Sequence, residues 1–231
     1  MTDTMEPTKT YTFDQLSDRA KTKALDWWAS VLDNDWAHYV IEEAKEQGKA
    51  KGFDIDDVRW SGFWSQGDGA SWIGRVNLPK FIEACIPDTH PLHARAQVYA
   101  MLVNEGWVQH YTNVSLRSTF YVHSGGMSLD SIDDSALSFL LRNDYDVEAP
   151  TDFITHECPL KGANVKDLAE GIDAELLVGE LEELVLEKAK EYADEIYARL
   201  EEAYEWETSA DCFAEVAFAN NYLFDEEGTL Q

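Results

Sequence analysis

The densest chemistry in the chain lies in twelve residues, Ser61-Gly-Phe-Trp-Ser-Gln-Gly-Asp-Gly-Ala-Ser-Trp72. Gly67 and Gly69 let the backbone present N–H groups to a ligand. Trp64 and Trp72 offer stacking faces. Ser65, Gln66 and Asp68 supply polar selectivity between them. This makes Trp64, Ser65, Gln66, Asp68 and Trp72 the candidates for binding a ligand or partner. The same residues also read as a tight hairpin whose indoles fill a core, because Gly-Asp-Gly is turn chemistry in its own right. The motif lacks the GxxxxGK[ST] of a phosphate loop, and it joins two extended runs rather than a strand to a helix.

Other constellations are thinner. His90 and His93 form HxxH before a helix, and Cys158 lies two residues after His156. A metal site needs three or four such groups to converge, so His90 and His93 are only weak ligand candidates and no metal is expected. Asp54-Ile-Asp-Asp57 and Asp130-Ser-Ile-Asp-Asp134 have neither the spacing, the turn glycine nor the closing glutamate of a helical calcium loop. Ser124 beside His123 is not a nucleophile elbow, since GxSxG is absent. Carboxylates are so frequent that their pairing says nothing about acid–base work. The expectation is a binding protein, with no catalytic residues and no cofactor.

The elements that must position these residues follow from periodicity. Residues 1–10 are a polar leader. Phe13, Leu16, Ala20, Ala24 and Trp27 or Trp28 recur at helical steps. Asp33-Asn-Asp35 caps a second helix running to about Lys51, with Gly48 and Gly52 marking its end. From Asp54 the period drops to two through Val58, Trp60, Gly62 and Trp64, and it resumes at Ala70 to Val76, which predicts a β-hairpin. Leu78 to Cys85 and Leu92 to Asn104 read as helices. Trp107 to Tyr121 reads as one or two strands, Ser131 to Asn143 as a short helix, and 144–163 as a loop. Leu177, Leu181, Leu184, Val185, Tyr192, Ile196 and Leu200 mark a long amphipathic helix, with Gly171 or Gly179 as candidate breaks. A last helix runs from Asp211 to about Ala219, and 220–228 closes as a candidate strand. The expected fold class is α+β: a small antiparallel sheet around the Gly-Asp-Gly hairpin, N-terminal helices, and a long acidic C-terminal helix. The expected layout is an 11–163 core with 164–231 packed on it as one domain.

Charge sets the partner class. The 231 residues hold 45 Asp plus Glu against 18 Lys plus Arg, a net −27. That repels nucleic acid and anionic membrane, and it favours basic protein surfaces. From Val165 onward there are 20 acids and 4 bases, more than half of the net charge. Glu180, Glu183, Glu187, Glu191 and Asp194 share one face of the long helix. That face is a candidate partner surface, and a run of this kind also serves as a plain solvated surface. Glu175 to Glu207 carries 12 acids over about 48 Å of helix. That is roughly one charge per 4 Å, against one per about 1.7 Å for duplex DNA, so mimicry of nucleic acid needs acids from elsewhere. Three scattered cysteines fit a reducing compartment. The start of the chain lacks a signal-peptide pattern and no apolar run reaches 18 residues, so a cytoplasmic location is expected.

The run Ser61 to Ser71 resembles a signature of poorly characterised proteins encoded mainly by bacteriophages, some labelled antitoxins of toxin–antitoxin systems. Tyr11-Thr-Phe-Asp-Gln-Leu-Ser-Asp-Arg-Ala-Lys is similar to that family's opening, and Tyr204-Glu-Trp-Glu-Thr-Ser-Ala-Asp with Ala219-Asn-Asn-Tyr-Leu-Phe-Asp-Glu-Glu-Gly228 to its close. The resemblance implies a phage accessory protein acting inside a bacterium. Its partner would be a host protein, such as a defence factor, with a basic or nucleic-acid-binding surface. The alternatives are an antitoxin-like neutraliser of one toxin and a small-ligand (nucleotide-signal) binder using the Trp64–Trp72 motif.

Overall fold

The computed structural model describes residues 9–104, 108–117, 122–135, 137–138 and 171–231. In chain order the elements are α1 (Asp18–Val31), α2 (Asp35–Ala50), β1 (Phe53–Trp60), β2 (Ala70–Asn77), α3 (Leu78–Cys85), α4 (His93–Asn104), β3 (Tyr111–Leu116), β4 (Met127–Leu129), α5 (Ala174–Glu207) and α6 (Ala210–Ala219). The α+β class is as expected. The helices begin where short polar side chains can take an orphan N–H. Ser17 Oγ accepts from Ala20, Asn77 Oδ1 from Lys80, and Ser209 Oγ from Cys212.

The contacts divide the chain at 41/42 and 197/198. The first unit comprises the described part of Met1–Ile41 together with Ala198–Gln231. Phe13 lies in a 3-10 turn, Phe13–Gln15, separate from α1, so the first helix starts later than its apolar spacing predicts. Phe13, Leu16, Ala20 and Ala24 still form the core, closed by Phe213 and Ala217 of α6 and by Phe224. Phe213 meets Phe13 edge to face at 4.9 Å and stacks on Trp28 at 5.3 Å. The Trp28 indole N–H donates to the Glu207 carbonyl at 2.8 Å. The closing segment makes only isolated bridges, Tyr11 to Phe224 and Phe224 to Leu230, not a strand.

The second unit, Glu42–Tyr197, holds the sheet. Its four antiparallel strands lie in sequence order, and α3 and α4 form the connection from β2 to β3. β1 stops at Trp60, paired with Ala70, so Phe63 and Trp64 sit in a nine-residue loop rather than in the strand their alternation predicts. A bulge at Asp56 shifts the register between Ile55 and Asp57. The extra residue keeps Phe53, Ile55 and Val58 all on the buried face. It is accommodated opposite Gly74, where a Cβ would stand 2.2 Å from the Asp54 carbonyl oxygen.

One face of the sheet packs on α5. Phe53 contacts Trp72 at 5.2 Å, Tyr192 at 5.5 Å and Phe81 at 6.0 Å, ring centre to ring centre. The Tyr192 hydroxyl donates to the Ala44 carbonyl at 2.6 Å. Gly48 lies inside α2 instead of ending it. A Cβ there would press on Ile55 and Tyr192 at 3.2 Å, so its absence allows close packing. α5 runs unbroken through Gly179 and begins after Gly171. Ser135, Leu137 and Ser138 are helical as expected. Ser131 to Asp134 are not helical, so that helix starts later than expected; residues 136 and 139–143, the 144–163 loop, His156, Cys158, Trp107 and Tyr121 lie outside the described residues.

Candidate functional site

The Ser61–Gly69 loop is held from several directions. Ser61 N–H donates to the Gly69 carbonyl across its base at 3.1 Å, and Asp68 N–H donates to the Ser65 carbonyl at 3.0 Å. The Asp68 carboxylate accepts from Trp64 N–H at 2.9 Å and from Ser65 N–H at 2.6 Å. These bonds answer what the sequence leaves open for Asp68: it fastens the turn. Phe63 stacks on Trp60 at 5.6 Å and lies against Tyr197 of α5 at 5.4 Å. The Tyr197 hydroxyl donates to the Gly62 carbonyl at 2.9 Å. On the other side, His123 covers Gly69 so closely that a Cβ there would stand 2.6 Å from His123 Cβ.

Bonds from Ser65 N–H first and then from Trp64 N–H hold the Asp68 carboxyl below the ordinary aspartate range. A lowered folded pKa contributes stability above the unfolded value, and that contribution is lost as pH falls through the folded one. In a 13C-detected titration, the Asp68 carboxyl should therefore have its midpoint below about 3.9. A midpoint at or above that value would show that the carboxylate does not clamp the loop.

The two indoles of the motif have different fates. Trp72 is 0% exposed and donates its N–H to the Ala189 carbonyl at 3.0 Å. It is a core residue, not a stacking face, so a two-indole clamp for a nucleotide is not formed. Trp64 is 79% exposed, and Ser65 and Gln66 beside it are exposed too. Sequence reasoning missed Trp60, Phe63, Tyr197 and His123 as supports of this loop. Tyr197 and His123 lie more than 50 residues away, and no local pattern announces such contacts.

The acidic residues of α5 fall where the helical period predicts. Buried Leu177, Leu181, Val185, Ala189, Tyr192 and Ile196 form the inner stripe. Glu180, Glu183, Glu187, Glu191 and Asp194 run along the opposite side. Glu180 pairs with Arg95 at 2.7 Å and Glu191 with Lys188 at 2.6 Å. Glu183, Glu187 and Asp194 are exposed, with no ion pair among the described residues. Glu182, at the inner flank, accepts from Ser131 Oγ at 2.9 Å and from Ile132 N–H, and so pins the Asp130–Asp134 segment.

The remaining candidates are occupied by structural bonds. His90 Nδ1 accepts from Leu92 N–H at 3.1 Å, and His93 Nδ1 lies 2.8 Å from the Ile86 carbonyl. His123 Nδ1 accepts from Gly125 N–H at 3.1 Å. Asp54 pairs with Arg75 at 2.8 Å, Asp130 accepts from Asn113 at 2.9 Å, and Asp133 accepts from Ser135 N–H at 2.9 Å. Among the described residues no three His, Cys, Asp or Glu side chains are grouped to hold a metal ion. Burial pushes the thiols of Cys85 and Cys212 up, away from the reactive thiolate. Among the described residues no helix is long and apolar enough to cross a membrane.

Comparison with known proteins yields no matching curated protein and no matching solved structure. One family model matches residues 36–210, a span that takes in the whole sheet, the Ser61–Gly69 loop and α5. The chain belongs to that family, the Domain of unknown function (DUF8835).

Proposed function

We propose that this protein works by binding, and that its acidic surface occupies a basic, nucleic-acid-handling surface of a host protein. The observation that carries the reading is the outward stripe of α5. Glu183, Glu187 and Asp194 are exposed there, on a chain of net −27. Such a field attracts cationic surfaces and repels DNA, RNA and anionic lipid. The phage-like resemblance of the Ser61 to Ser71 run supplies the biological setting, an accessory protein that inhibits or modulates a bacterial factor in the cytoplasm. The stripe alone is more dilute than duplex DNA, so mimicry would draw on further acids around it.

The test is retention of bacterial proteins on the immobilised chain at low and at moderate salt. A basic, nucleic-acid-handling partner should be retained at low salt and weakened as salt rises, because screening shortens the reach of the field. The triple reversal Glu183→Lys, Glu187→Lys, Asp194→Lys should abolish that retention while leaving the melting temperature nearly unchanged, since these side chains are exposed. Retention that survives the reversal, or recovery of no basic protein, would overturn the reading.

A further inference from the structure

The fixed loop and its exposed indole are unexplained by an acidic stripe alone. Trp64 is the most exposed tryptophan among the described residues, yet its own backbone N–H is clamped by Asp68. Its neighbour Phe63 is packed between Trp60 and Tyr197. The chain thus holds a large apolar side chain outward on a backbone that is already ordered. An anchor of this kind loses little conformational freedom on binding, and tryptophan is the residue type most enriched at the energetic centres of protein interfaces. The loop is also placed beside the acidic stripe. Tyr197, which bonds Gly62 at 2.9 Å, stands three residues after Asp194, and residues three apart are surface neighbours on a helix.

We propose that Trp64 is the anchor of the partner contact, taking the guanidinium of an arginine from a protein partner onto its indole face. Asp194 and the stripe beyond it draw in the surrounding basic surface. This rests on the acidic-surface reading and adds the residue and the chemical group that fix the contact. The occupant follows from charge complementarity. A cation over an indole gains from the negative face of the ring, and guanidinium stacks on aromatics better than ammonium does. Gln66, exposed in the same loop, adds an amide for the partner's backbone.

The test uses the full chain, deca-arginine and deca-lysine peptides, and AMP, at near-physiological salt. The Trp64 indole N–H resonance is assigned by its loss in Trp64→Ala. Deca-arginine should shift that resonance, deca-lysine less, and AMP not at all. Trp64→Ala should weaken deca-arginine binding by about fivefold with an unchanged melting temperature, and Trp64→Phe should restore part of it. Equal binding by wild type and Trp64→Ala would overturn the anchor. If the Glu183, Glu187 and Asp194 reversal still released the peptide in that case, the acidic-surface reading would stand without it. No binding of deca-arginine by any form would count against both. A Trp64 resonance that moved with AMP, or on simple dilution of the protein, would overturn the arginine occupant in favour of a nucleobase or of a second copy of the chain.

Discussion

Trp72→Ala should destabilise the sheet-bearing unit by about 3–5 kcal/mol, whereas Trp64→Ala, eight residues earlier, should change stability by less than about 0.5 kcal/mol. The contrast follows from position alone. Trp72 is fully buried between Phe53 and α5, and its indole N–H donates to the Ala189 carbonyl. Truncation removes the burial of a large ring, leaves a cavity that the backbone of β2 and α5 cannot collapse, and removes a second donor from a carbonyl that is already paired within the helix. Trp72→Phe would keep much of the volume but not the donor, so it should recover part of the loss and not all of it. The measurement is the denaturant midpoint, with the slope of the transition checked for constancy. A Trp72→Ala variant as stable as wild type would mean that the indole is not the keystone between strand and helix.

That pair of tryptophans also shows where sequence reading succeeds and where it stops. Both stand in one motif and have the same chemistry, and alternation assigned both to strands. For Trp72 the strand is right, and burial follows. For Trp64 the alternation continues past Trp60, but pairing stops there and the Asp68 carboxylate takes the Trp64 and Ser65 N–H groups, so the segment closes into a loop. Helices were legible for local reasons: apolar residues return every three or four positions, and Asn77 and Ser209 supply caps at the predicted starts, whereas Ser17 caps α1 later than its apolar spacing predicts. The acidic stripe of α5 was legible for the same reason. Gly48 was misread as a terminator because glycine is also used where helices approach other side chains closely. Joining Phe13 to Phe213, or His123 to Gly69, depends on pairings far apart in sequence, which local periodicity does not encode.

Gly74→Ala should cost about 3 kcal/mol or more, among the larger effects expected of a single methyl group. The added carbon would meet backbone on the neighbouring strand: the Asp54 carbonyl oxygen at 2.2 Å, and Asp56 N and Ile55 Cα at 3.0 Å. No rotamer relieves such a contact, because the obstacle is main chain. The strand can respond only by opening the bulge at Asp56. Closing up the extra residue would shift everything on one side of it by one position, and a one-residue slip turns the buried side chains to the opposite face. Either Phe53 and Ile55 or Val58 would then leave the core, while the acidic side chains that alternate with them turned inward. Gly179→Ala supplies the opposite sign. Gly179 lies within α5 with nothing within 4 Å of the added carbon, so alanine there should stabilise by about 0.5–1 kcal/mol through helix propensity alone. Denaturant midpoints moving apart in these two directions would establish that the bulge is a required feature of β1. A Gly74→Ala variant that melted with wild type would show that the register of β1 against β2 is wrong. The Asp54–Arg75 pair, the loop base at Ser61 and Gly69, and the placement of Trp64 all depend on that register.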